Sequence, residues 1–253
     1  MPLLDHLIEL RTRLIYALIS FIGVFLITFY FAKPIFSFLI QPALRDGYRL
    51  QVLDIFEFFF VTVKLSAFLS LIVGFPLIAT QIWLFVAPGL YRREKRAFLP
   101  FLIATPFMFY AGCVVMYYVV MPYVINFMLT QYAPPDIEKN LRASDYLERV
   151  LQLVFAFGFA FEMPVLLTLM IRVGILSTAA LKSKRRYAIV IMFVVAAVLT
   201  PPDVVSQTSL AIPLIVLFEA SIISCRFVEK ARAKREAEEE AELLGKGTPA
   251  AGE

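Results

Sequence analysis

The sequence predicts an all-α integral membrane protein of six transmembrane helices, the last two short. Three observations lead there. Of 253 residues, 60% are hydrophobic, 25 are Phe and 17% are charged, and the mean hydropathy is +0.80, more apolar surface than a soluble domain of this size can hide. The apolar runs are long and unbroken, whereas the strands of a membrane barrel alternate over about ten residues, so helices must satisfy the backbone inside the bilayer. Lys and Arg gather at the ends of those runs, as the positive-inside bias requires, which accounts for a pI near 9.0 with no nucleic acid as partner.

The elements follow in order. Leu3, Leu7, Leu10 and Leu14 recur at helical spacing with His6, Glu9 and Arg13 on the other side, the pattern of an amphipathic helix at a membrane surface. It leads into a first span, Leu14 to Phe31, whose length of roughly 27 Å matches the hydrocarbon thickness. No small-residue cleavage site follows this run, so it is expected to be retained. The connector from Ala32 to about Phe60 holds Pro34, Pro42, Gly47, Asp54 and Glu57 and is expected to fold back as short interfacial helices. Val61 to Ala87 forms the second span, with Lys64 near its outer end, where its stem can snorkel.

The loop from Phe85 to Arg96 carries Arg92, Arg93, Lys95 and Arg96 around one acid, Glu94, and so many cations hold it on the cytoplasmic side. Phe98 to Leu129 is the third span, with Pro100, Pro106 and Pro122 predicting kinks. Gln131 to Glu148 is a polar outer connector, and Leu151 to Ile171 is the fourth span. After the basic loop Arg172 to Arg186, Tyr187 to Leu199 is an apolar helix of only about 20 Å against a core of roughly 30 Å. Past the turn Thr200-Pro201-Pro202-Asp203, Gln207 to Ile223 is the sixth span. Residues 1–228 thus make a membrane domain, and 229–253 a charged tail expected to be a solvated helix fraying into disorder. The N-terminal segment, the two basic loops and the chain from Arg226 onward hold 17 of the 24 Lys and Arg, which puts both termini in the cytoplasm.

Few residues offer chemistry. There is one histidine, no paired nucleophile and base, and no Walker loop or dinucleotide fingerprint, so no enzyme and no cofactor are expected. Cys113 and Cys225 sit in apolar runs without disulfide or metal spacing. His6 reads as a pH sensor or as an interfacial residue. Glu9 with Arg13 at i+4, and Glu94 among its four cations, read either as neutralised locally or as acids open to a cationic partner. Glu162 lies roughly 15 to 20 Å from either end of its helix, where a charge costs about 2.5 to 3.5 kcal/mol. It reads as a functional acid or as one satisfied by a neighbouring helix.

Five segments together resemble the TatC family of the twin-arginine protein translocase. They are His6-Leu-Ile-Glu-Leu-Arg-Thr-Arg13; Glu57-Phe-Phe-Phe with Lys64-Leu-Ser66; Gln81-Ile-Trp-Leu-Phe-Val-Ala-Pro-Gly-Leu90 with Glu94-Lys-Arg96; Phe157-Gly-Phe-Ala-Phe-Glu-Met-Pro164; and Leu199-Thr-Pro-Pro-Asp-Val-Val-Ser-Gln207 followed by Ala211-Ile-Pro213. The resemblance implies six helices in a curved, cupped wall in the bacterial cytoplasmic (inner) membrane. It implies a receptor for the signal peptides of folded proteins bearing paired arginines, working in an oligomeric complex with the single-span partners TatA and TatB and the proton motive force. The signal-peptide site carries over to Glu9, Leu10, Arg11, Phe85, Pro88, Leu90 and Glu94, the intramembrane acid to Glu162, and partner-helix contact to Thr200 and Gln207. One departure is that Ile55 and Phe56 precede Glu57 where the family often has Pro and Thr.

Two carboxylates can each take a guanidinium through a two-pronged contact that lysine cannot make. Such contacts contribute roughly 3 to 6 kcal/mol together, short of the about 8 kcal/mol of micromolar binding. The remainder is assigned to the peptide's apolar stretch packing on the wall in lipid. The alternative reading is a proton-coupled small-solute transporter using Glu162. Transporters of that kind show related halves, and spans one to three show no repeat in spans four to six.

Overall fold

The structure, a computed structural model, describes residues 3–45, 49–90, 95–131, 140–200 and 203–246. The amphipathic start and the first span form one helix, α1 (Leu3–Tyr30), about 42 Å long at 1.5 Å per residue. Phe31 ends it, and the connector folds back as two short helices, α2 (Ala32–Leu39) and α3 (Gln41–Arg45). A strand, β1 (Arg49–Gln51), follows and pairs in parallel with β2 (Asn140–Arg142), with Leu50 opposite Leu141. This two-stranded sheet fastens the first outer connector to the second.

The second apolar stretch is two helices, α4 (Glu57–Val73) and α5 (Phe75–Leu90), bent by 53° at Gly74. Proline is the cause: Pro76 has no N–H for the carbonyl of Ile72, and its ring crowds that carbonyl. The third stretch holds α6 (Lys95–Val115), a π-helical turn over Met116–Val120, and α7 (Met121–Gln131). Pro100 and Pro106 lie inside α6. The wider turn comes just before Pro122, whose missing donor would have served the carbonyl of Tyr118.

The fourth stretch is interrupted by a proline too, though without so sharp a bend, and Ala143–Val173 remains one candidate span. α8 (Ala143–Ala160) stops at Phe161, and α9 (Met163–Arg172) begins after Glu162 with Pro164 in its first turn, so the carbonyl of Ala160 has no Pro164 N–H to accept. Ser177 caps α10 (Thr178–Ser183), its Oγ accepting from Ala180 N at 3.2 Å. α11 (Arg185–Leu199) has 15 residues. The sixth apolar stretch is the first half of α12 (Val204–Lys246), a 43-residue helix that runs into the charged tail without a break.

Among the described residues, four helical stretches are long and apolar enough to cross a bilayer: His6–Tyr30, Leu99–Phe127, Ala143–Val173 and Val204–Lys234. The bent α4–α5 pair makes a fifth. The core lies where α6 crosses α8. Phe75 stacks on Phe109 at 3.7 Å, and Phe155 and Phe159 meet the Phe109 ring edge-on. Two glycines permit this approach: a Cβ on Gly158 would lie 2.6 Å from the Phe109 ring, and one on Gly112 would lie 2.5 Å from the carbonyl oxygen of Phe157.

Candidate functional site

The polar face of α1 meets the far end of α5. His6, Glu9 and Arg13 share a face at i, i+3 and i+7, and Gln81 and Phe85 share one at i and i+4. The His6 ring stacks on Phe85 with centroids 4.4 Å apart, and Arg13 Nη1 donates to Gln81 Oε1 at 3.5 Å. Residue number rises along α1 as it falls along α5, so the two run antiparallel here.

Glu9 carries the charge of this patch. Among the described residues its one ion pair is to Arg13 Nη2 at 3.6 Å, with a quarter of the Glu9 side chain exposed. That contact is long for a charge-assisted hydrogen bond, which closes to about 2.7–2.9 Å, so the carboxylate keeps capacity for a second donor. Arg13 Nε, buried, has no hydrogen-bond partner. On the other side of α1, Leu7, Leu10 and Leu14 are exposed, at 60%, 42% and 65%, and Arg11 is exposed as well. α1 thus offers an acid on one face and uncovered leucines on the other, an arrangement suited to a cationic segment with an apolar continuation.

The other residues expected at this site are placed in part. Pro88 and Leu90 belong to the last turns of α5, and their side chains lie outside the described residues, as does Glu94 altogether. In the chain, Glu94 immediately precedes Lys95, the first residue of α6.

Glu162 stands apart, in the break between α8 and α9, with 6% of its surface exposed and Oε1 buried without a hydrogen-bond partner. Thr105 of α6 and the backbone of Phe109 face its carboxyl, and Trp83 Nε1 of α5 donates to Thr105 Oγ1 at 2.9 Å. Three separate stretches therefore converge on one polar cluster. Thr105 carries no local pattern that marks it, and Trp83 only its place in the segment Gln81-Ile-Trp-Leu; their convergence arises only when the helices pack.

Thr200 ends α11, its Oγ1 donating to Ala196 O at 2.8 Å. Gln207 Nε2 donates to Phe193 O at 3.1 Å and ties α12 to α11. Both polar groups are engaged within the chain. At the opposite end, Glu57, its side chain 3% exposed, accepts from Leu53 N at 2.8 Å, Asp54 N at 3.3 Å, Arg142 Nε at 3.1 Å and Ser144 N at 3.2 Å. Sequence reasoning gave it no role; its place in the motif Glu57-Phe-Phe-Phe was the available signal. Lys64, expected to snorkel, also pairs with Glu148 at 2.7 Å, each more than half exposed.

Among known proteins, the family model described as "Sec-independent protein translocase protein (TatC)" matches residues 5–213. The "Sec-independent protein translocase protein TatC" of Magnetococcus marinus is 43% identical over 244 residues, covering 95% of this chain and 90% of that protein. The protein of the same description from Escherichia coli K12 is 41% identical over 239 residues, covering 93% and 92%. A solved structure described as "Crystal Structure of Twin Arginine Translocase Receptor- TatC in DDM" matches with a TM-score of 0.80 and 39% identity, over 86% of this chain and 98% of that one.

Proposed function

Because the chain belongs to the TatC family of Sec-independent protein translocase proteins, we propose that it is the subunit that captures signal peptides carrying paired arginines. One observation carries this reading: Glu9, held among the described residues by one long ion pair, lies on the α1 face that packs against Gln81 and Phe85, on the helix that precedes Glu94 in the chain. One guanidinium of the peptide takes Glu9 and the other takes Glu94, each through two parallel hydrogen bonds. The peptide's apolar stretch then runs over Leu10 and Leu14. Binding strength comes from both parts, and the preference for arginine over lysine comes from the carboxylates.

Glu162 takes a second role in this reading. A buried carboxyl oxygen lacking a donor inside the bilayer suits a polar side chain on a single-span partner of the TatA or TatB kind, with Thr200 and Gln207 on the adjoining α11–α12 face. The proton motive force supplies the energy and the chain catalyses no covalent step. Residues 1–228 form the membrane unit, with residues 229–253 as tail and both termini in the cytoplasm of the bacterial inner membrane.

Photocrosslinking tests the capture step. A crosslinker at Leu10 should label a paired-arginine precursor in inverted membrane vesicles, and Glu9→Lys or Glu94→Lys should remove most of the labelling. Undiminished labelling in both variants contradicts the proposal.

A further inference from the structure

We propose that the pocket between α10 and α12 binds the phosphodiester headgroup of an anionic phospholipid, a role separate from capture of a signal peptide. The pocket encloses about 630 Å³ and is lined by Thr178, Lys182, Arg226, Glu229 and Lys230 among others. It faces three cations with one carboxylate, and that carboxylate is already engaged, accepting from Thr178 N at 3.2 and 3.4 Å.

The cations around this pocket differ from their neighbours. Arg185 makes a two-pronged contact with Glu219 at 2.8 Å, Arg232 donates to Ile171 O at 3.2 Å, and Lys234 pairs with Glu238 at 3.6 Å. Among the described residues, Lys182, Arg226 and Lys230 have no such partner. Thr178 also lines the pocket, although its Oγ1 is itself buried, with no hydrogen-bond partner. An anion is what this set of donors lacks.

The surroundings select a lipid over a free ion. One turn back along α12, Ile223 and Phe227 are 54% and 72% exposed, and Ile175 before α10 is 62% exposed. Charge and open apolar surface therefore meet at the boundary of an apolar helix, where a phosphate continues directly into acyl chains. Basic pockets between membrane helices bind anionic headgroups in this way, and each Lys or Arg near the phosphate strengthens binding about fivefold.

Native mass spectrometry of the purified full chain, released from micelles with equal amounts of phosphatidylglycerol and phosphatidylcholine, tests the assignment. The unmodified chain should retain phosphatidylglycerol roughly a hundredfold over phosphatidylcholine, about fivefold for each of the three cations. The triple variant Lys182→Gln, Arg226→Gln, Lys230→Gln should bring that ratio to about one, while Lys234→Gln, outside the pocket, leaves it unchanged. If the triple variant loses its melting transition, Arg226→Gln alone is read instead, with about a fivefold fall in the ratio. Equal retention of both lipids by the unmodified chain, a ratio that survives the substitutions, or full displacement of phosphatidylglycerol by equimolar inorganic phosphate overturns the proposal.

Discussion

At the residue scale, Glu162 combines a buried carboxyl, an oxygen without a donor and a place in the middle of the fourth span. A carboxyl so placed is costly in a bilayer, and Thr105, its neighbour across α6, already accepts from Trp83. Replacing the acid by an amide of the same shape should therefore stabilise the protein while impairing translocation. Glu162→Gln is expected to raise the melting temperature in detergent by a few degrees, on the scale of about 2–4 °C per kcal/mol, and to lower export. A variant that melts earlier would mean that the carboxyl holds the fold together instead. Gly158 gives the complementary case. A methyl there meets the Phe109 ring at 2.6 Å, and over-packing of that kind costs about 1–3 kcal/mol. Gly158→Ala should lower the melting temperature by a few degrees, which a thermal scan in detergent will show.

At the scale of elements, prolines decide where long apolar stretches break. Gly74-Phe75-Pro76 bends the second stretch, the π turn absorbs Pro122, and Pro164 opens the fourth stretch at Glu162. The existence and order of these stretches were legible from apolar runs alone. The two breaks went unread although Pro76 and Pro164 mark them, because each proline lies inside an apolar run long enough to be read as one span. The β1–β2 pair was hidden for another reason: three residues are too few for an alternating pattern, and their partners lie about ninety positions apart. Glu57 joins the two connectors that carry these strands. Glu57→Gln should therefore speed amide hydrogen exchange in residues 49–57 and 140–144 together, leaving α11 and α12 as protected as before; faster exchange in only one of the two segments would refute the cross-link.

At the scale of the whole molecule, the chain is a multi-pass helical member of the TatC family, and the function proposed for it turns on what one end of the bundle offers. Half of that site could be read in advance. His6, Glu9 and Arg13 recur at helical spacing, so their shared face was visible, whereas its cover, Gln81 and Phe85, comes from a helix some seventy residues away and appears only on folding. The same holds for Glu162, evident as a lone acid, and for Trp83 and Thr105, which no spacing connects to it. The cations of the α10–α12 pocket were counted as topology signals, and their lack of partners became visible only in three dimensions. The central claim is that two carboxylates read two guanidinium groups. Calorimetric titration of the purified chain with a paired-arginine signal peptide, and with the same peptide carrying two lysines, tests it most directly. The account predicts a Kd at least roughly tenfold weaker for the lysine peptide, a difference of about 1.4 kcal/mol, and a Glu9→Gln, Glu94→Gln variant that binds the two peptides alike. Equal affinities for both peptides on the unmodified chain would contradict it.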